Sequence, residues 1–193
     1  MSQSVTVSCP FSRSKGGTRR HADVRMGWRL RTCGVWLLCL LAGSLVQASP
    51  PSLIGQQSTD FALRSMGGGN MRLSEHIGEV VILHFWATWC GSCRQEIPLL
   101  GEIHDKYARV GLVTFGISLD EDHEAAAAMA RTLRIAYPVL IDGRKDVSKD
   151  YRVGTLPVTV LIDRAGIVRY ISEGYRPGDE VRYTRKLREL LNE

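Results

Sequence analysis

Val80-Val81-Ile82-Leu83-His84-Phe85-Trp86 is an apolar run broken only by one imidazole, and it leads directly into Ala87-Thr88-Trp89-Cys90-Gly91-Ser92-Cys93. A run of this length and β-branched content reads as a buried strand, and the residues after it turn into a helix. A Cys-x-x-Cys pair at a strand-to-helix junction makes a reactive dithiol. The first turn of a helix offers unpaired N–H groups and a partial positive charge, which favour thiolate at the first cysteine. Cysteines so placed have pKa values of roughly 3.5–7.5 instead of about 8.5, and the thiolate is the nucleophile. The second sulfur lies one turn further on, within reach of a disulfide.

The remaining cysteines, Cys9, Cys33 and Cys39, all precede Ala48. Arg25, Arg29 and Arg31 form a basic region ahead of about 14 apolar residues, Cys33 to Val46, and Val46-Gln47-Ala48 supplies small residues for cleavage. This is the pattern of a signal peptide over residues 26–48, with an uncleaved membrane anchor as the alternative. Residues 1–25 are Ser-, Arg- and Gly-rich without apolar period, and read as a disordered extension or as sequence ahead of a true start at Met26. The leader also accounts for the basic charge. Of 25 Lys and Arg against 20 Asp and Glu, residues 1–48 hold seven cations and one anion, so residues 49–193 carry 18 against 19, a net of −1. The charge balance therefore gives no support to nucleic-acid binding. About 145 residues remain, enough for one domain with a substantial core, whose two cysteines are the Cys-x-x-Cys pair.

Along that domain, Thr59–Leu63 and Asn70–Leu73 flank Gly67-Gly68-Gly69 and predict a hairpin, followed by one helical turn over Leu73–Gly78. Ile97, Leu100, Ile103 and Tyr107 recur at helical spacing and predict a helix from about Gly91 to Arg109, kinked by Pro98. Gly111–Leu119 reads as a second buried strand, parallel to the first because a long helix separates them. A helix capped near Asp122 and running to Leu133, an extended Tyr137–Ile141 and a short helix over Val147–Tyr151 follow. Pro157–Asp163 and Ile167–Ile171 are the arms of a hairpin turning at Arg164-Ala165-Gly166, and a last helix spans about Asp179–Leu191. The order predicts an α/β sandwich with helices on both faces of a mixed sheet.

With these motifs in order, the chain from about Leu53 onward resembles the thioredoxin superfamily, and within it the TlpA/ResA-like extracytoplasmic thiol-disulfide oxidoreductases. The resemblance rests on Thr59-Asp60-Phe61, Phe85–Cys93, Glu96-Ile97-Pro98, Tyr151–Pro157 and Leu161–Gly166. It implies a thioredoxin-like three-layer α/β sandwich over residues 49–193, a central mixed sheet with helices on both faces and an N-terminal β-hairpin extension. It implies that Cys90 attacks, that Cys93 resolves, and that the Leu156–Pro157 bond is cis, with Thr155, Leu156 and Trp89 facing substrate. It further implies protein disulfides as substrates, a membrane-bound electron donor, no cofactor and no metal, and a monomer in the periplasm that acts as a reductant.

Glu96, one turn beyond Cys93, is expected to approach the dithiol, where a partly desolvated carboxylate can take or return the Cys93 proton. The other reading of Glu96 is a surface residue stabilising the first helical turns. His84 departs from the aspartate or asparagine usual at its position. It reads either as a proton carrier or as a neutral histidine hydrogen-bonded to backbone. Trp86 and Trp89 are expected to pack around the site, and Ser92 replaces the proline common before the second cysteine. Two other functions fit the same cysteines: a disulfide oxidant, and a chaperone holding Cu(I) between soft thiolates.

Overall fold

A computed structural model of the chain describes residues 52–193. The expected leader over residues 26–48, and the extension before it, lie outside the described residues. Among the described residues seven strands form one mixed sheet: β1 (Ala62–Ser65), β2 (Asn70–Arg72), β3 (Val80–Trp86), β4 (Leu112–Ser118), β5 (Val139–Ile141), β6 (Val158–Ile162) and β7 (Val168–Glu173). Among the same residues four α-helices accompany them: α1 (Cys93–Tyr107), α2 (His123–Thr132), α3 (Asp146–Asp150) and α4 (Asp179–Leu191). The strand order is β2-β1-β5-β4-β3-β6-β7. Among the described residues no helix is long and apolar enough to cross a membrane.

The central position of β3 follows from its composition. All seven of its residues are buried, so it needs partners along both edges and cover on both faces. Strand β4 pairs with it in parallel and β6 antiparallel. Alternation then divides its side chains between two cores. Val81, Leu83 and Phe85 join Phe115, Ile117, Val160, Val147 and Tyr151 on the face covered by α3. Val80 and Ile82 pack with Leu100, Ile103, Tyr183 and Leu187 from α1 and α4. Trp86, on this second face, packs with Cys90, Cys93, Ile97 and Ala126. The result is the three-layer sandwich expected from the sequence.

The N-terminal hairpin extends the sheet because β1 pairs antiparallel with β5. Asp60 fixes the hairpin's exit: its carboxylate accepts from the Arg72 guanidinium and from the Ser74 N–H and hydroxyl. Tyr151 donates its hydroxyl to the Thr59 carbonyl, which ties the segment to the end of α3. The helices differ from expectation in detail. Helix α1 starts at Cys93, two residues after the expected Gly91, because Gly91 and Ser92 form the turn leaving β3, and it continues to Tyr107 with Pro98 inside it. The Asp122 carboxylate caps α2 by accepting from the Glu124 and Ala125 N–H groups.

The β6–β7 turn is organised by one carboxylate. Asp163 accepts from the N–H groups of Ala165 and Ile167 and from the Arg169 guanidinium. Gly166 is at φ +80° with Gln57 and Ile77 where a Cβ would stand, so glycine is required there. Burial works against ionising Asp163, but the Ile167 N–H, Arg169 and the Ala165 N–H outweigh it and hold the carboxyl below its usual range. A depressed carboxyl stabilises the fold above its unfolded pKa of about 3.9, and that contribution is lost as pH falls through the folded value. Asp163→Ala is therefore expected to cost about 2 kcal/mol at pH 7 in denaturant unfolding, with the gap to the parent closing below about pH 4.

Candidate active site

Strand β3 ends at Trp86, and the chain needs only Ala87 to Ser92 to enter α1, so both cysteines sit at the C-terminal end of the central strand. Cys90 and Cys93 form a disulfide with Cα atoms 5.3 Å apart. Cys93 is fully buried and Cys90 is 5% exposed, which keeps the expected order of accessibility, although both sulfurs are well covered. The Cys93 N–H, one of the unpaired donors at the start of α1, points at Cys90 Sγ at 3.1 Å. The Ser92 hydroxyl lies 3.6 Å from the same sulfur. On reduction these groups favour negative charge on Cys90 over Cys93.

Behind the dithiol, α1 and the sheet enclose two further titratable side chains. Glu96 is 1% exposed, which excludes the surface reading. Its Oε1 accepts the Thr159 hydroxyl at 3.0 Å. Its Oε2 lies 3.2 Å from His84 Nε2, with both side chains buried. The approach is out of line, so neither atom forms a proper hydrogen bond, and Nδ1 of His84 also lacks a partner. The imidazole is thus not the backbone-bonded histidine of the simpler reading. His84, Thr159 and Gly116 lie side by side in register on three adjacent strands. A side chain at Gly116 would meet Tyr137 at 3.0 Å and Trp86 at 3.2 Å, so the glycine lets those two rings close over the strand beside His84.

The surroundings decide which groups here can exchange protons. Burial first, and then the Glu96 charge, push the phenols of Tyr137 and Tyr183 above their ordinary range. Both stay protonated at any physiological pH, so neither phenol exchanges a proton in this layer.

Trp86 packs against the dithiol as expected. Trp89 does not: it is 72% exposed, because the turn after Thr88 directs it outward. Leu156 packs against the cluster that contains both cysteines, and Thr155 beside it is exposed. The Leu156–Pro157 bond is cis, and the Pro157 carbonyl accepts the Gly174 N–H. Three residues of this region were missed in the sequence. Thr159 was legible only as a strand residue, and Asp120 and Arg94, which hold Thr88, only as a loop acid and a helix base.

A mixed sheet bearing a dithiol where its central strand meets a helix, with a cis-proline segment nearby, defines a thioredoxin-fold thiol-disulfide oxidoreductase. Residues 54–171 match the AhpC/TSA family, and the chain belongs to that thioredoxin-like family. It is 32% identical to the thiol-disulfide oxidoreductase ResA of Geobacillus kaustophilus over 128 residues, 66% of this chain and 74% of the relative. It is 35% identical to the thioredoxin-like protein YneN of Bacillus subtilis over 122 residues, 62% of this chain and 71% of that one. A crystal structure from Chlorobium tepidum, assigned as the thiol:disulfide interchange protein DsbE, superposes with a TM-score of 0.69 at 32% identity, covering 72% of this chain and 97% of that one.

The asymmetry of the two sulfurs gives a direct expectation. Cys93→Ser should accumulate mixed disulfides through Cys90 that resolve on non-reducing gels, and Cys90→Ser should accumulate few. Equal trapping by the two variants would mean that the roles are not divided as the geometry divides them.

Proposed function

We propose that the protein is a periplasmic reductant of protein disulfides, of the kind needed for apocytochromes or for copper-site assembly factors. The observation that carries this reading is the buried Glu96 carboxylate one turn behind Cys93. A negative charge there opposes thiolate and so destabilises the dithiol relative to the disulfide, which lowers the reduction potential. The helix N-terminus works in the other direction, and Glu96 moderates it. Export rests on the leader expected over residues 26–48 and on the ResA-type relatives. A cleft of about 910 Å³ between β1, β5 and α2 includes none of the dithiol residues. The dithiol instead follows exposed Trp89 and shares its cluster with Leu156, whose neighbour Thr155 is exposed, a surface suited to a protein disulfide.

In the reaction the Cys90 thiolate attacks a substrate disulfide, forming a Cys90–substrate bond as the first substrate sulfur leaves and takes up a proton. Cys93 then gives its proton to the Glu96–His84 pair and attacks Cys90 Sγ, and the second substrate thiolate departs. Two electrons pass from the dithiol to the substrate, and Cys90–Cys93 is left oxidised. A membrane-bound dithiol donor returns it to the reduced form through the same steps reversed, the proton going back to Cys93.

The potential of the Cys90–Cys93 couple tests the direction. A value of about −270 mV or lower is expected, whereas one near −120 mV would make the protein an oxidant. Glu96→Gln should raise that potential and lower the pKa of a cysteine by about one unit. His84→Asn should slow release from the mixed disulfide and affect the first attack less. A pH–rate profile unchanged by either substitution would remove the pair from the mechanism. Conservative replacements are needed because deleting one partner of a buried pair costs about 3–5 kcal/mol of stability.

A further inference from the structure

Thr88, two residues before Cys90, is gripped from two sides. Its N–H donates to both oxygens of Asp120, at 3.2 and 3.0 Å, and its hydroxyl donates to Oδ1 at 2.7 Å. Its carbonyl accepts from Arg94 Nη2 of α1 at 2.8 Å. Asp120 is itself held. It is 7% exposed, its Oδ2 accepts the Ser118 hydroxyl at 3.0 Å, and its own N–H donates to Ser118 Oγ at 3.2 Å. The Leu119 N–H also donates to the Trp86 carbonyl at 3.0 Å, so the loop after β4 is stitched to the loop after β3 at two successive points.

A buried carboxylate satisfied by neutral donors alone is costly, and the same space would accept an apolar residue more cheaply. What it does here is concentrate four acceptor contacts on two short elements, three of them on a single residue beside the nucleophile. Thr88 precedes Trp89, which is directed into solvent, and Cys90, whose N–H closes the turn onto the Ala87 carbonyl at 3.1 Å.

We infer that Asp120 is a positioning residue for disulfide exchange: by clamping Thr88 it fixes the turn that presents Trp89 and Cys90 to a protein disulfide. The inference rests on the dithiol chemistry and not on its direction, so it holds for a reductant or an oxidant alike. The charged groups around the clamp are Arg94, bonded to the Thr88 carbonyl, the Glu121–Lys145 ion pair, and Asp122, whose carboxylate is engaged at the start of α2. The clamp's effect is therefore geometric, and it should be sensed most by a substrate that must contact Trp89 as well as Cys90. A small aromatic disulfide needs only the sulfur.

The test compares Asp120→Ala, Asp120→Asn and Thr88→Val in the whole protein, with a reduced-and-reoxidised protein disulfide and a small aromatic disulfide as substrates. Asparagine keeps an oxygen for the Thr88 N–H and hydroxyl and can donate to Ser118 Oγ, so it preserves the clamp without the charge. Asp120→Ala is expected to raise KM for the protein disulfide about tenfold, with a much smaller fall in the rate toward the small disulfide. Asp120→Asn should restore most of that KM. Thr88→Val, which keeps the N–H contact and the core, should fall between the parent and Asp120→Ala, and it carries the test should the alanine variant not fold. Equal losses toward both substrates, an unchanged KM in Asp120→Ala and Thr88→Val, or an asparagine variant as impaired as alanine would each overturn the inference. No exchange at all by the unaltered protein would overturn the dithiol reading together with it.

Discussion

A carboxylate and an imidazole meet 3.2 Å apart in a layer from which solvent is excluded, and three elements meet to place them there. His84 comes from β3, Glu96 from α1, and Thr159, which binds the other carboxylate oxygen, from β6. Breaking such a pair costs several kcal/mol, whereas replacing both partners with well-packed apolar residues is often neutral or stabilising. The pair is therefore hard to explain as a device for stability. It is easier to explain by what lies one turn away, a buried cysteine that loses and regains a proton in the proposed reaction.

The two sulfurs meet different surroundings, and the proposed division of work between them rests on that difference. Cys90 lies ahead of the helix and receives the Cys93 N–H, with the Ser92 hydroxyl close by. Cys93 lies within the first turn, packed with Trp86 and Ile97 and without solvent contact. In the proposed reductant the helix end favours thiolate and the Glu96 carboxylate opposes it, and the balance between them would set the potential. Ser92 adds a polar group at a position where the resemblance leads one to expect a ring.

Much of this was legible in the sequence, for identifiable reasons. The apolar run of β3, broken only by His84, and the short turn of the β6–β7 hairpin marked the centre of the sheet, and Cys90 and Cys93 announced the chemistry by spacing. Glu96 was placed near the site by helical period, but its complete burial and its contact with Thr159 depend on β6 packing beneath α1, which no local pattern encodes. The out-of-line approach of His84 to Glu96 is equally a product of tertiary packing. Trp89 reads as packing around the site, but it is exposed in the turn between β3 and α1, where Ala87 and Cys90 take the inward positions. Asp120 reads as an ordinary loop acid after a strand, and only the pairing of β3 with β4 brings it to Thr88.

The central claim is that the β3–α1 junction makes Cys90 the attacking sulfur and Cys93 the shielded one. Alkylation of the fully reduced protein with limiting iodoacetamide between pH 5 and 9, followed by peptide mass mapping, tests it most directly. The expected result is label on Cys90 at every pH and on Cys93 only after unfolding. Label on Cys93 first, or on both cysteines at equal rates in the folded protein, would contradict it.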